Sequence, residues 1–543
     1  MEFNLAGAFG AVAAANPDRD CIVFGERRFT FAQTADRTRR LARALHGWGL
    51  GAHREREQLA NHESGQDHLA LYMTNCNEFV EGMIGAYQAR VAPFNVNYRY
   101  VADELVYLLD NADAAVTMYH AQFAPILATA LERLPAMRLI HVDDASGNDP
   151  IPGAVRYEDL LAAQSSQPPD VIPSPDDLYM LYTGGTTGMP KAVLWRQNDI
   201  YLNAMGGRTF GTGERVSSLA EIVARSRIGG PGGMTVAPLM HGAAQWSAYV
   251  RLLTGRTFVM PAATDGFDAA AAWAIASRER VDSVSMVGDA FGRPLAEALE
   301  AGDYDLSTVT SLVSGGATLT VGIKQRLLDM LPNAVILDAG GASETGSQMG
   351  QLFSRAHGSN GRFVPNPGAV VVSEDLTRIL APGDPETGWL GQQDLVPLGY
   401  LGDADKTART FPVVEGVRHA IPGDRARWDA DGSIELLGRD SVTINSGGEK
   451  IFAEEVEAAI AHHPGVYDVV VVGRPSARWG QEVVAIVQPV DGATIDPDEV
   501  VGEAARHLAR YKLPKAVLFT RRVQRSPSGK PDYRWAKAQA AQE

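Results

Sequence analysis

Residues Tyr182 to Val193 read YTGGTTGMPKAV, with three glycines, three threonines and one lysine set between apolar stretches. Residues of these types, so closely spaced, can hold phosphate. Gly184, Gly185 and Gly188 have no side chain to keep phosphate oxygens from the backbone N–H groups; Thr183, Thr186 and Thr187 add hydroxyl donors and Lys191 adds charge. A P-loop needs its lysine directly after the last glycine and a Ser or Thr after the lysine. Here Met189 and Pro190 intervene and Ala192 follows, so the run is not a Walker-type loop. In isolation a Gly- and Thr-rich run is also a common surface turn. Its meaning depends on what the rest of the chain places beside it.

At 543 residues the chain exceeds what one hydrophobic core supports, so two or more domains are expected. Apolar residues make up 45% and charged residues only 21%, which excludes a disordered chain. No stretch approaches the roughly eighteen uninterrupted apolar residues of a membrane span. The N-terminus opens on Glu2 without a basic segment and reads as an amphipathic helix rather than a signal peptide, pointing to the cytoplasm. Cys21 and Cys76 lack any CxxC or Cys/His context and read as buried packing residues. A net charge of −16 argues against nucleic acid or anionic membrane as a partner. Against that background, Lys512 to Lys537 carries eight basic residues and one acid, a local excess suited to a polyanionic small molecule.

Apolar segments followed by helical patterns recur through the first 430 or so residues, such as a strand around Leu69 to Met73 and a helix from Glu78 to Arg90. That alternation predicts layered α/β structure. The segment His53 to Asp67 is polar and aperiodic and reads as an exposed insertion with no catalytic role; His357 to Gly361, followed by Pro365 and Pro367, reads as a loop between subdomains. Near Gly438 the character changes to a compact α/β unit, with a helix around Ala453 to Ala461 and β-branched runs at Val469 to Val472 and Val483 to Val487. Asp496, Pro497 and Glu499 form a helix start with Asp as N-cap, Pro at N1 and Glu at N3.

Several blocks then occur in a fixed order: the YTGGTTGMPKAV run; DAGGASETG at Asp338 to Gly346; Gly423-Asp424; Gly438-Arg439-Asp440; SGGEKIFAEEVE at Ser446 to Glu457; and RSPSGK at Arg525 to Lys530. Together they resemble the adenylate-forming superfamily, in its acyl-CoA synthetase branch. They are most similar to actinobacterial enzymes that activate fatty or steroid side-chain acids. The departures are Gly184 where the family has Ser, Ala192 where it has Gly, and Gly340 where it has a Tyr that packs on adenine.

The resemblance implies a large N-terminal adenylate-forming domain over residues 1–438, made of layered α/β subdomains and a small β-barrel-like subdomain. A hinge follows at 439–441, including Asp440, then a small mobile C-terminal α+β domain over 442–543. It implies ATP, Mg²⁺ and coenzyme A as ligands. The phosphate would lie on Thr183, Gly184, Gly185, Thr186, Thr187, Gly188 and Lys191, with Gly315, Ala317 and Ser343 beside the nucleotide. Asp424 and Arg439 would hold the ribose, Gly447 and Gly448 would line a pantetheine channel, and Glu344 with Thr186 would hold the metal. Lys530 is implied as the catalytic lysine, assisted by Glu344 and by His241, which would close over the substrate carboxylate.

The family's acyl pocket is walled by the segments Pro238 to Trp246, Met286 to Asp289 and Ser314 to Ala317. Here Met240, Ala243, Ala244, Gly315, Gly316 and Ala317 favour a roomy apolar pocket. Asp289 is expected to cap the helix that follows it rather than to bind an amino group. The expected activity is therefore ATP-dependent conversion of a hydrophobic carboxylic acid, a medium- or long-chain fatty acid or a steroid side-chain acid, to its CoA thioester through an acyl-AMP, releasing AMP and pyrophosphate. An aryl or other carboxylate–CoA ligase, a non-catalytic nucleotide-binding homologue and a homodimeric assembly stay open.

Overall fold

Strand His68–Tyr72 is buried along its whole length, the pattern of a strand covered on both faces. It sits inside an all-parallel sheet with Ala92–Asn95, Ala114–His120, Arg138–Val142 and Val155–Arg156. Helix Asn77–Gln88 crosses over it, so the strand–helix alternation read from the sequence is present. These coordinates come from a computed structural model that describes all residues except 184–188, 210–211, 263–265, 357, 359–360, 447–448, 477–478, 527–528 and 543, and the side chains of 441, 449 and 450.

A second, larger sheet places Asp20–Phe24, Phe258–Met260, Gly233–Thr235, Ser283–Met286, Ser311–Gly315 and Val335–Ala342 side by side, all parallel. Gly346–Phe353 then turns back antiparallel, and Arg362–Pro365 carries the sheet on into an antiparallel group that contains Asp424–Trp428 and Ile434–Arg439. The loop expected around His357 thus leads directly into a strand; His357, Ser359 and Asn360 lie outside the described residues. In open parallel sheets, ligands gather at the carboxyl ends of the strands. Here those ends are Met286, Gly315 and Ala342.

The N-terminal helix Leu5–Ala15 exposes only the stripe Gly7, Gly10 and Ala14, and buries Leu5, Phe9 and Val12 in the main core. Trp195 and Trp273 are fully buried, and their indole N–H groups donate to the Ser343 and Leu295 carbonyls at 2.9 Å each. Burial of such rings without a stranded donor stabilises the fold by about 2–3 kcal/mol each. Among the described residues, no helix is long and apolar enough to cross a membrane. Cys21 and Cys76 are free and buried, as expected for packing residues.

The C-terminal unit has its own core. Strand Val466–Ser476 pairs antiparallel with Gly480–Pro489, which pairs parallel with Ala516–Phe519. Side chains alternate across a strand. Val469 and Val471 therefore face helices Ala453–Ile460 and Pro497–Ala505, while Val470 and Val472 face helix Tyr533–Ala540. The Asp496 capping box is present: Asp496 accepts from the Asp498 N–H at 2.8 Å, and Glu499 accepts from the Asp496 N–H at 3.0 Å.

Candidate active site

Strands Leu178–Thr183 and Lys191–Arg196 form an antiparallel pair in which Thr183 faces Lys191, so the Gly/Thr run connects the two strands of a hairpin. Gly184, Gly185, Thr186, Thr187 and Gly188 lie outside the described residues, as do Gly447 and Gly448. Lys191 reaches out of the hairpin and donates to Asp403 at 2.6 Å. Asn95, buried behind the hairpin, donates to the Tyr182 carbonyl at 2.8 Å and the Met240 carbonyl at 2.6 Å, and accepts from the Tyr182 N–H at 2.9 Å. One amide thus ties the hairpin to the turn that carries His241.

His241 is the N-cap residue of helix Gly242–Leu253. Among the described residues, its buried Nε2 has no hydrogen-bond partner. A buried polar atom left unpaired is costly in a purely structural role, so this is not the satisfied packing histidine that a lone His most often is. Burial, then the charges of Lys530 and Arg99, hold the imidazole down to about 3. It is therefore neutral at physiological pH.

Glu344 lies in the tight turn, residues 343–345, between strands Val335–Ala342 and Gly346–Phe353, not on a helix. The Ala342 N–H donates to Thr345 Oγ1 at 2.9 Å, and Gly346 follows at φ +67°, where a Cβ would strike Asn203. Glu344 accepts from the Tyr400 hydroxyl at 2.8 Å. Ser343 contributes its carbonyl to Trp195. At Gly340, a Cβ would sit 2.7 Å from Cγ of the buried Met349, so a larger residue there would displace the methionine. Gly315 lies beside Ala339, and Ala317 covers Gly288, whose N–H donates to Ser314 at 3.1 Å. Two of the segments expected to wall the acyl pocket are thereby in contact.

Asp289 does not cap its own helix. Val287 is the N-cap of Gly288–Ala301, and Asp289 instead accepts from the Thr320 N–H at 2.7 Å, at the start of helix Val321–Met330. Its carboxyl bridges two helix starts, a partner 31 positions away that the local pattern does not reveal.

Asp424 and Arg439 face each other across neighbouring strands, Nε to Oδ1 at 3.2 Å. Glu454, on the first helix of the C-terminal unit, accepts from the Arg439 N–H at 3.4 Å. Lys530 arrives from the far end of the chain. Arg525 pairs with Asp468 at 2.6 Å and also donates to the Gly529 carbonyl at 2.9 Å, fixing the turn before the lysine. Gly529, at φ +72°, lies so close to Ala290 that a Cβ there would be 3.1 Å from the alanine methyl. The Lys530 ammonium is pushed below its ordinary range by burial and next by Arg439, while Glu344 and Asp424 act in the opposite sense. Lys530, His241, Glu344, Asp424 and Arg439 thus share one electrostatic neighbourhood. The basic stretch from Lys512 to Lys537 does not act as one patch, because Lys512 pairs with Glu455 and Arg525 with Asp468.

The AMP-binding enzyme family model matches residues 9–391, and the model of the AMP-binding enzyme C-terminal domain matches 455–530. The chain belongs to the AMP-binding enzyme family. It is 56% identical over 541 residues to the medium-chain acyl-CoA ligase Mig of Mycobacterium avium, covering 99% of this chain and 98% of that one. It is 37% identical over 552 residues to the 3-oxocholest-4-en-26-oate–CoA ligase of Rhodococcus rhodochrous, covering 99% and 96%. The fold is similar to that of ATP-bound MatB from Rhodopseudomonas palustris, with a TM-score of 0.80, 22% identity and 99% coverage of both chains.

Four residues of this AMP-binding enzyme that local reading did not single out are Asn95, Tyr400, Asp403 and Lys406. Lys191 and Asp403 are 212 positions apart and Tyr400 and Glu344 are 56 apart, so only the tertiary fold pairs them. The 53–67 insertion is also more than surface. Arg90 pairs with Glu55 and Asp177, Gln66 accepts from the Leu178 N–H at 2.7 Å, and the His62 carbonyl accepts from the Gly402 N–H at 2.8 Å. It braces the turn that presents Asp403.

Proposed function

We propose that this protein is a cytoplasmic ATP-dependent acyl-CoA ligase that activates hydrophobic carboxylic acids, medium-chain fatty acids foremost, through an acyl-AMP. What supports the reading is the family to which the chain belongs, together with the charges of Arg439, Glu344 and Asp424 that act on Lys530 and the charge of Lys530 that acts on a neutral His241. A carboxylate is a poor acyl electrophile. Its attack on the α-phosphorus of ATP releases pyrophosphate and leaves an acyl-AMP, whose AMP is a competent leaving group when the CoA thiol attacks.

Adenylation requires no side-chain nucleophile, so catalysis rests on positioning and electrostatics. Lys530 bridges the substrate carboxylate and the α-phosphate and stabilises charge as it develops. His241, held neutral, offers Nε2 for hydrogen bonding to the carboxylate without adding a second charge. Asp424 accepts from the ribose hydroxyls, and Arg439 orients Asp424. Thr183 and Lys191, with Gly184, Gly185, Thr186, Thr187 and Gly188, receive the phosphates; Gly315, Ala317 and Ser343 flank the nucleotide. Gly447 and Gly448 line the pantetheine path. Residues 1–438 form the nucleotide- and acyl-binding domain, and residues 442–543 turn about 439–441 between the two half-reactions.

Among the described residues, no cluster of three or more His, Cys, Asp or Glu could hold a metal unaided. Mg²⁺ is usually held by one or two carboxylates together with substrate phosphates, and the single anchored carboxylate of Glu344 fits that habit, with Thr186 as the second protein ligand. When bound, the ion would offset phosphate charge.

The 56% identity to a medium-chain ligase and the apolar Met240 and Ala244 beside His241 support the substrate class. A panel of medium- and long-chain fatty acids, aryl acids and steroid side-chain acids, scored for CoA-dependent AMP release, tests it. Medium-chain fatty acids are expected to give the highest kcat/KM; an aryl acid turned over faster would overturn this assignment.

A further inference from the structure

Two ammonium groups lie around one phenol ring in this site: Lys191 Nζ is 5.9 Å and Lys406 Nζ 4.7 Å from the Tyr400 ring centre. Of the two, only Lys191 belongs to the run from Tyr182 to Val193. Asp403 is the one carboxylate bonded to this pair among the described residues, and it is committed on both oxygens: Oδ2 accepts from Lys191 at 2.6 Å, and Oδ1 accepts from the Lys406 backbone N–H at 2.9 Å. Glu344 is turned to the Tyr400 hydroxyl. Among the described residues, the Lys406 ammonium pairs with no carboxylate. Burial, then the charge of Lys191, pulls its affinity for the proton down, opposed by Glu344 and Asp403.

A half-buried lysine beside a like charge, only partly offset by Glu344 and Asp403, is stabilised by a further anion. The turn is fixed from outside, by the His62 carbonyl on the Gly402 N–H at 2.8 Å and by Thr407, whose hydroxyl accepts from the Tyr400 N–H at 2.9 Å. Lys191 follows the Gly/Thr-rich run, and the ring that both ammonium groups face donates its hydroxyl to Glu344. A ligand with two or more closely spaced negative charges satisfies both lysines.

We propose that Lys406, together with Lys191, binds the pyrophosphate portion of ATP and the pyrophosphate released from it. This rests on the acyl-CoA ligase reading and adds to it a binding residue outside the sequence blocks. Lysine suits this task as a point charge for phosphate. AMP, which lacks the β- and γ-phosphates, does not reach Lys406.

The test compares wild type, Lys406→Ala and Lys406→Arg in the full chain by calorimetric titration with ATP, AMP and inorganic pyrophosphate. Lys406→Ala is expected to weaken ATP and pyrophosphate about tenfold, the scale of one lost hydrogen bond to a charged group, with AMP affinity unchanged. Lys406→Arg is expected to stay within about threefold of wild type for all of them. In steady state the alanine variant should show a higher KM for ATP and weaker product inhibition by pyrophosphate. Unchanged ATP and pyrophosphate affinities overturn the proposal, and so does a parallel loss of ATP, pyrophosphate and AMP, which marks a packing role around Tyr400. A wild type that binds ATP but forms no acyl-AMP defeats the ligase reading and leaves the titrations to decide Lys406 on their own.

Discussion

Replacing Lys530 with alanine is expected to slow acyl-AMP formation by about 10²–10³-fold, the cost of removing a preorganised group that stabilises transition-state charge. The expectation follows from how the chain holds this lysine. Arg525, Asp468 and Gly529 fix the turn before it, and the close packing of Gly529 on Ala290 seats that turn on the large unit. The ammonium then enters a field to which Arg439, Glu344 and Asp424 all contribute. A group used only while phosphate charge develops should affect kcat for adenylation much more than KM for the acid. Thioester formation from chemically prepared acyl-AMP should change far less, because that step does not involve the α-phosphorus bond to pyrophosphate. Rapid-quench assays of the two half-reactions check this; an equal loss in both would assign Lys530 to structure.

The second large effect is expected at Asp424. Its carboxylate faces Arg439 at 3.2 Å, and the resemblance places the ribose hydroxyls on it. Replacing Asp424 with alanine removes the acceptor for those hydroxyls and leaves the guanidinium without its partner, so AMP and ATP affinity should both fall about a hundredfold, equivalent to ~3 kcal/mol. Loss of the negative charge also removes one of the influences that sustain the Lys530 ammonium. Calorimetric titration with AMP isolates the binding effect from catalysis. An affinity within about threefold of wild type would place the ribose elsewhere.

The elements that position these residues were legible where local chemistry sets them. The valines at 469–472 and the Asp496 capping box specify a strand and a helix start from neighbouring residues alone, and the structure has both. The ordered blocks carried the family resemblance, and the family models match residues 9–391 and 455–530. What local reading missed depends on distant partners. Asp289 reads as a helix cap until the Thr320 N–H is brought to it, Tyr400 is an ordinary strand tyrosine until Glu344 turns toward it, and the 53–67 segment reads as solvent-exposed until His62 meets Gly402. Lys406 carries no motif signal at all, because its significance is the distance to another lysine ring-side of Tyr400. Burial likewise decides the state of His241, and no pattern of neighbouring letters encodes it.

The most direct measurement is a single-turnover mix of enzyme, Mg²⁺, ATP and a medium-chain fatty acid without CoA, quenched and analysed for protein-free products. Acyl-AMP should appear together with an equal amount of pyrophosphate, and adding CoA should convert it to acyl-CoA and AMP. An acyl group bonded to the protein, or pyrophosphate released only after CoA is supplied, would contradict activation by adenylation.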